Sequence, residues 1–199
     1  MEQLPIFLLT IAAYFSGSIP FGLLFARLFT NVDVRSVGSG NIGATNVLRA
    51  AGKTAAALTL VADGLKSAVP VLVARYWLQD DIAIALSGIA AVIGHAFPVF
   101  LRFKGGKSVA TGFGVMLAMT PWLGLACLLI WLIAAVLWRY SSLSALIAFL
   151  AYPVLVFWRF PEARPFGSAA LFLAGMIYVR HRENIKRLVE GTEPRIGEK

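Results

Sequence analysis

One cysteine is all this 199-residue chain contains. That excludes an internal disulfide and any multi-cysteine metal site, and Cys127, set within an apolar run, reads as packed or lipid-facing. No zinc-type ligand set and no GxSxG nucleophile elbow occur, so neither metal nor cofactor is expected. Charge is scarce as well, with Asp, Glu, Lys and Arg making up 14% of the residues. The first apolar run has no basic stretch ahead of it: Glu2 precedes it, and its basic residue, Arg27, follows, which argues against a cleavable signal peptide. There is no 20–50-residue repeat and no stretch with the composition of a soluble domain.

What the chain has in abundance is apolar surface. A soluble domain of this length cannot conceal 59% hydrophobic residues, so the composition predicts an all-α polytopic membrane protein, with residues 1–199 forming a single integral membrane domain. Seven spans are predicted, at about Pro5–Phe29, Thr54–Tyr76, Ile82–Leu101, Ser108–Met119, Trp122–Trp138, Leu143–Trp158 and Phe166–Val179. The fourth is short, and Thr120-Pro121 ends it. In the first, Ser16-Gly17-Ser18-Ile19-Pro20 is a small-residue packing patch with a kink. The net charge of +8 would suggest nucleic acid in a soluble protein, but here it reads as basic loops facing anionic lipid and attracting anionic substrates. With the N-terminus outside and the C-terminus in the cytoplasm, only Arg75, Arg159 and Arg164 fall outside. The other lysines and arginines, Lys66 within a span excepted, gather inside from Arg27 to Lys199.

This topology brings three polar segments, 30–53, 102–107 and 180–199, to one membrane face. The first contains Gly38-Ser39-Gly40-Asn41-Ile42-Gly43, formally G-x-G-x-x-G, but no βαβ unit surrounds it and the acidic residue 20 positions on, Asp63, sits inside a span. What remains is local chemistry: glycine N–H groups for an anion, polar side chains on Ser39, Asn41, Thr45 and Asn46, and the planar fork of Arg49. A capped interhelical turn is the plainer alternative. The second segment lies within HAFPVFLRFKGGKSVAT, residues 95–111. Gly105 and Gly106, flanked by Lys104 and Lys107 and followed by Ser108, suit a phosphate, although a basic turn also ends many membrane hairpins. It is no Walker A loop, since Leu101 stands where the first glycine belongs. His95 reads as a hydrogen-bonded packing residue more readily than a catalyst. Asp63 and Lys66, one helical turn apart, form either an internal ion pair or a substrate contact. The third segment offers His181 as a base or anion ligand and Glu183 and Asn184 beside it, or else a basic tail for lipid headgroups, with Ile185, Leu188 and Val189 on one side of an amphipathic helix.

Together the three segments resemble the bacterial acyl-phosphate:glycerol-3-phosphate acyltransferase family over essentially the whole chain. The resemblance rests on VGSGNIGATNVLR at Val37–Arg49, HAFPVFLRFKGGKSVAT at His95–Thr111 and RHRENIKRLVEGTE at Arg180–Glu193, with Asp63-Gly64-Leu65-Lys66 also in keeping and Ser67 standing where a glycine is expected. It implies a seven-span inner-membrane enzyme that moves a fatty acyl group from acyl phosphate to the 1-hydroxyl of glycerol 3-phosphate, giving lysophosphatidic acid and phosphate. The H-x4-D signature of acyl-CoA-type enzymes is absent, since Phe100 occupies the Asp position. By resemblance, Ser39, Arg49, His181 and Asn184 matter for catalysis, and the glycine loop with Lys104 and Lys107 adjacent is associated with acyl-phosphate binding; Lys104 joins the catalytic candidates for the charge it can offset. Gly38, Gly40, Asn41, Thr45, Asn46, Lys66, Gly105, Gly106, Lys107 and Ser108 are the accompanying substrate-binding candidates. The implied partners are the two substrates, membrane lipid and the acyl-phosphate-forming enzyme, and no nucleic acid. A transporter for small phosphorylated anions is the rival class.

Overall fold

The computed structural model describes residues 3–197. Glu2 and Lys199, which enter the charge pattern above, lie outside the described residues. Nine α-helices form the described residues' regular structure, with no strand: α1 (Gln3–Ser18), α2 (Phe21–Thr30), α3 (Ala44–Val73, continued by a π turn at Ala74–Leu78), α4 (Asp81–Ala96), α5 (Val109–Met119), α6 (Pro121–Trp138), α7 (Ser141–Arg159), α8 (Arg164–Arg180) and α9 (Arg182–Val189). Five stretches are long and apolar enough to cross a membrane: Gln3–Thr30, Ala44–Leu78, Asp81–Leu101, Pro121–Trp138 and Ser141–Arg159. The two other expected spans correspond to α5 and α8, at 11 and 17 residues.

The outer surface is apolar because lipid is its solvent. Trp77, Trp122 and Trp158 sit exposed at helix ends, where indole suits the membrane interface. Inside, small residues let backbones approach. A Cβ on Gly17 of α1 would strike the Ala91 carbonyl of α4, and one on Gly94 would strike the Tyr14 carbonyl, so the Ser16–Ser18 patch does serve helix packing. Gly114 of α5 lies equally close to the Gly64 carbonyl of α3. Around these contacts Phe113, Phe149, Tyr152, Met116 and Leu173 fill the core, and Cys127 is packed into it.

Two departures from the sequence reading matter for the site. The first span is broken, not merely kinked. Pro20 lacks an N–H and cannot follow helically, so α1 stops at Ser18, α2 starts at Phe21, and the Ile19 carbonyl is released. That carbonyl accepts from Lys66 Nζ at 2.7 Å. The polar segment 30–53 is also partly helical. α3 begins at Ala44, and its only non-helical residue is Gly52, at φ 83° and ψ −177°. A glycine tolerates that backbone, so Asn46 and Arg49 ride on a short helical arm ahead of the long apolar span.

Candidate active site

The first polar segment is built by Asn46. Its Nδ2 donates to the carbonyls of Val34, Val37 and Asn41 at 2.9, 3.0 and 2.9 Å, and its Oδ1 accepts from the Ser39 N–H at 3.2 Å. The side chain is buried and fully engaged, so Asn46 shapes the loop and is not free to bind substrate. Around it Gly38 and Gly40 turn the chain at φ 56° and 66°, and Asn41 Oδ1 accepts from the Gly43 N–H. Ser39, Thr45 and Arg49 are exposed, and the Ser39 hydroxyl makes no hydrogen bond among the described residues. Ahead of the loop, Asp33 caps a 3-10 turn and grips Arg35 through Nε and Nη2 at 2.9 and 2.6 Å. The Arg35 hydrogen bonds hold the Asp33 carboxyl well below the usual carboxylate range.

The glycine loop corrects the sequence reading. Its N–H groups do not face a ligand: Gly105 N–H donates to the Ala96 carbonyl at 3.2 Å and Gly106 N–H to the His95 carbonyl at 3.1 Å. A helix leaves its last carbonyls without partners, and the loop folds back to supply donors for the end of α4. The glycines are needed for closeness. A Cβ at Gly105 would meet the His95 carbonyl and Pro98, and one at Gly106 the His95 imidazole. Ser108 is buried and donates to the Val92 carbonyl at 3.2 Å, another framework bond in place of a substrate contact. Lys66 likewise joins Asp63 at 2.8 Å, both buried, as the internal ion pair. His95 adjoins this pair, its Nδ1 3.8 Å from Asp63 Oδ1 and without a hydrogen-bond partner among the described residues, so it packs but is not hydrogen-bonded there.

The third segment meets the second through side chains. Lys107 Nζ donates to Asn184 Oδ1 at 2.5 Å, and Asn184 Nδ2 donates to Glu193 Oε1 at 2.6 Å. Glu193 also accepts from Ser142 at 2.6 Å and Arg187 at 2.7 Å. Burial works to raise the Glu193 carboxyl, but these donors outweigh it and hold the carboxyl low. Burial lowers the Lys107 ammonium; Glu193 opposes this, while Arg187, Arg180 and Arg49 add to it. The field at Lys107 therefore joins all three segments. Glu183, the sequence's candidate companion for His181, instead points outward to Arg182.

His181 caps the end of α8, with Nδ1 2.8 Å from the Ile177 carbonyl. A ring nitrogen facing a carbonyl must donate, which leaves Nε2 as a lone pair. Burial pulls the imidazole down to about 4, against the Ile177 bond and Glu193 and with help from Lys107 and Arg180. Unfolded histidine titrates near its usual value, so between about 6.5 and 4 the unfolded chain binds the extra proton and acid weakens the fold. Wild type is expected to lose up to about 3 kcal/mol relative to His181→Gln over that window and nothing above it. Thermal midpoints of both proteins across pH 4–8 check this; parallel curves would contradict it.

A cavity of about 370 Å³ opens among Arg35, Gly40, Ile42, Phe103, Lys104, Gly105 and Arg180. It joins the first two segments to the end of α8 and carries cationic side chains on several sides. Among the described residues no group of three His, Cys, Asp or Glu stands ready for a metal. Arg35, Arg180, Ser142 and Glu193 were not singled out from the sequence. The tail carries four glutamates, Glu183, Glu190, Glu193 and Glu198, and nothing in the sequence marks Glu193 among them.

The glycerol-3-phosphate acyltransferase family model matches residues 7–191, which takes in the first two segments and most of the third. The chain belongs to the glycerol-3-phosphate acyltransferase family. It is 53% identical to a glycerol-3-phosphate acyltransferase of Dinoroseobacter shibae over 192 residues, covering 96% of this chain and 93% of that one. A namesake from Gluconobacter oxydans is 47% identical, covering 98% and 94%. The crystal structure of PlsY (YgiH), an integral membrane glycerol 3-phosphate acyltransferase, matches in its glycerol 3-phosphate form with TM-score 0.91 and 42% identity, covering 97% of this chain and 96% of that one. Its lysophosphatidic acid form matches with TM-score 0.90 and 40% identity, at the same coverage. This member of the glycerol-3-phosphate acyltransferase family thus shares the fold of those structures over 97% of its length.

Proposed function

We propose that the protein transfers a fatty acyl group from acyl phosphate to the 1-hydroxyl of glycerol 3-phosphate, releasing phosphate and lysophosphatidic acid, as the first step of phospholipid synthesis. The observation that carries this reading is the convergence of Arg49, Lys104, Lys107, Arg180, His181 and Asn184 at one end of an apolar bundle. Both substrates bring phosphate, and one brings a long apolar chain. A cationic site at the end of an apolar bundle suits both demands.

Acyl phosphate is a mixed anhydride that carries its own leaving group. The glycerol hydroxyl attacks the acyl carbon, the acyl–oxygen bond to phosphate breaks, and phosphate departs. Arg49, Lys104 and Lys107 hold the phosphates and offset the charge that develops. His181 Nε2 is the protein's neutral acceptor for the hydroxyl proton, and a phosphate oxygen of a substrate is the other acceptor at hand. The Ser39 hydroxyl is hydrogen-bonded to no base among the described residues, which favours direct attack over an acyl-Ser39 intermediate. The basic ends of α2, α8 and α9 and the loops they border support, through the positive-inside rule, a cytoplasmic-facing site in the bacterial inner membrane, with seven spans and the N-terminus outside.

Purified protein in detergent, supplied with palmitoyl phosphate, should release phosphate only when glycerol 3-phosphate is also present. Arg49→Ala should cut the rate about a hundredfold. Release without glycerol 3-phosphate, or uptake of a phosphorylated solute into vesicles without turnover, would overturn the reading.

A further inference from the structure

Resting on the acyl-transfer reading, we propose that Arg180 is a positioning residue for the reaction: its guanidinium sets the backbone of the Lys104–Lys107 loop, and through it the place from which Lys104 and Lys107 present their ammonium groups. On the loop's inner side the N–H groups of Gly105 and Gly106 are held by the end of α4. On its outer side Arg180 Nη2 donates to the Gly105 carbonyl at 2.8 Å and Nε to the Gly106 carbonyl at 3.0 Å. Two consecutive residues are thus held at both ends of their polar backbone, and neither has a side chain to hold it otherwise. The guanidinium also lies over the Phe97 ring, 5.4 Å from its centroid. Its Nη1 makes no hydrogen bond among the described residues, and Arg180 walls the cavity beside Lys104 and Gly105.

Only arginine performs this set of contacts. A lysine ammonium is a single point of charge that cannot bridge two carbonyls in one plane while stacking on a ring. Arg182 supplies the control. It carries the same charge two residues on, stands 81% exposed at its side chain, and pairs with Glu183 away from the loop.

The test compares Arg180→Lys, Arg180→Ala and Arg182→Lys in the phosphate-release assay, beside thermal midpoints and binding of radiolabelled glycerol 3-phosphate. Arg180→Lys is expected to keep the wild-type midpoint while kcat falls about tenfold or more and glycerol 3-phosphate binds more weakly. Millimolar guanidinium is expected to restore part of the activity of Arg180→Ala, and Arg182→Lys to match wild type. Wild-type kcat and KM in Arg180→Lys would overturn the proposal. So would losses in Arg180→Ala that follow its midpoint and do not respond to guanidinium. Failure of the acyl-transfer reading shows separately, as absence of turnover by wild type, and the binding comparison still reads the role of Arg180.

Discussion

Lys66→Met is expected to leave little folded protein. The Lys66 ammonium is buried against Asp63 at 2.8 Å and donates to the Ile19 carbonyl at 2.7 Å, while its own backbone carbonyl accepts from Ser16 Oγ at 2.7 Å. One side chain therefore closes the break between α1 and α2 and neutralises Asp63. Removing it leaves a buried carboxylate without a counter-charge, and among the described residues the Ile19 carbonyl keeps only the Phe21 N–H, at 3.1 Å. Breaking a buried pair from one side costs about 3–5 kcal/mol, far more than the pair's net worth. The asymmetry makes a sharp test. Asp63→Asn together with Lys66→Met removes both charges and should recover most of the lost midpoint in detergent. A single variant as stable as wild type would show that the pair does not join these helices.

The convergence of polar segments was legible because it follows from where charge is tolerated. Arg35, Lys104, Lys107 and Arg180 cannot lie in lipid, and Arg35, Lys104 and Arg180 do line one cavity, with Arg180 holding the loop that ends at Lys107. The Asp63–Lys66 contact was legible from helical spacing alone. What the sequence did not reveal was where each polar group's partner lies. Whether Gly105 and Gly106 offer N–H groups to a ligand depends on where α4 ends, and its last carbonyls at His95 and Ala96 claim them. Asn46 looks like Asn41 by residue type, yet only Asn46 faces three loop carbonyls at once. Glu193 and Ser142 are separated by 51 positions and meet only because the tail after α9 folds back onto the start of α7. Such pairings are tertiary, and no periodicity encodes them.

The same packing underlies the second large effect, which concerns activity more than stability. Gly105→Ala and Gly106→Ala are each expected to displace the loop and to cut the rate on the order of a hundredfold, since small misplacements of charged groups act steeply on a positioned reaction. Their causes differ. At position 105 the new methyl meets the His95 carbonyl, which is backbone and cannot be removed by mutation. At position 106 it meets the His95 imidazole, a side chain that can be trimmed. Overpacking of this kind costs about 1–3 kcal/mol where nothing can yield. His95→Ala combined with Gly106→Ala should therefore recover activity relative to the product of the two single effects, whereas His95→Ala combined with Gly105→Ala should show no such recovery. Phosphate-release rates for the five variants complete both cycles. Equal coupling at the two positions would mean that His95 acts on the loop through something other than contact at Gly106, and would turn attention to its neighbours Asp63 and Lys66 as the elements that hold the glycine loop against α4.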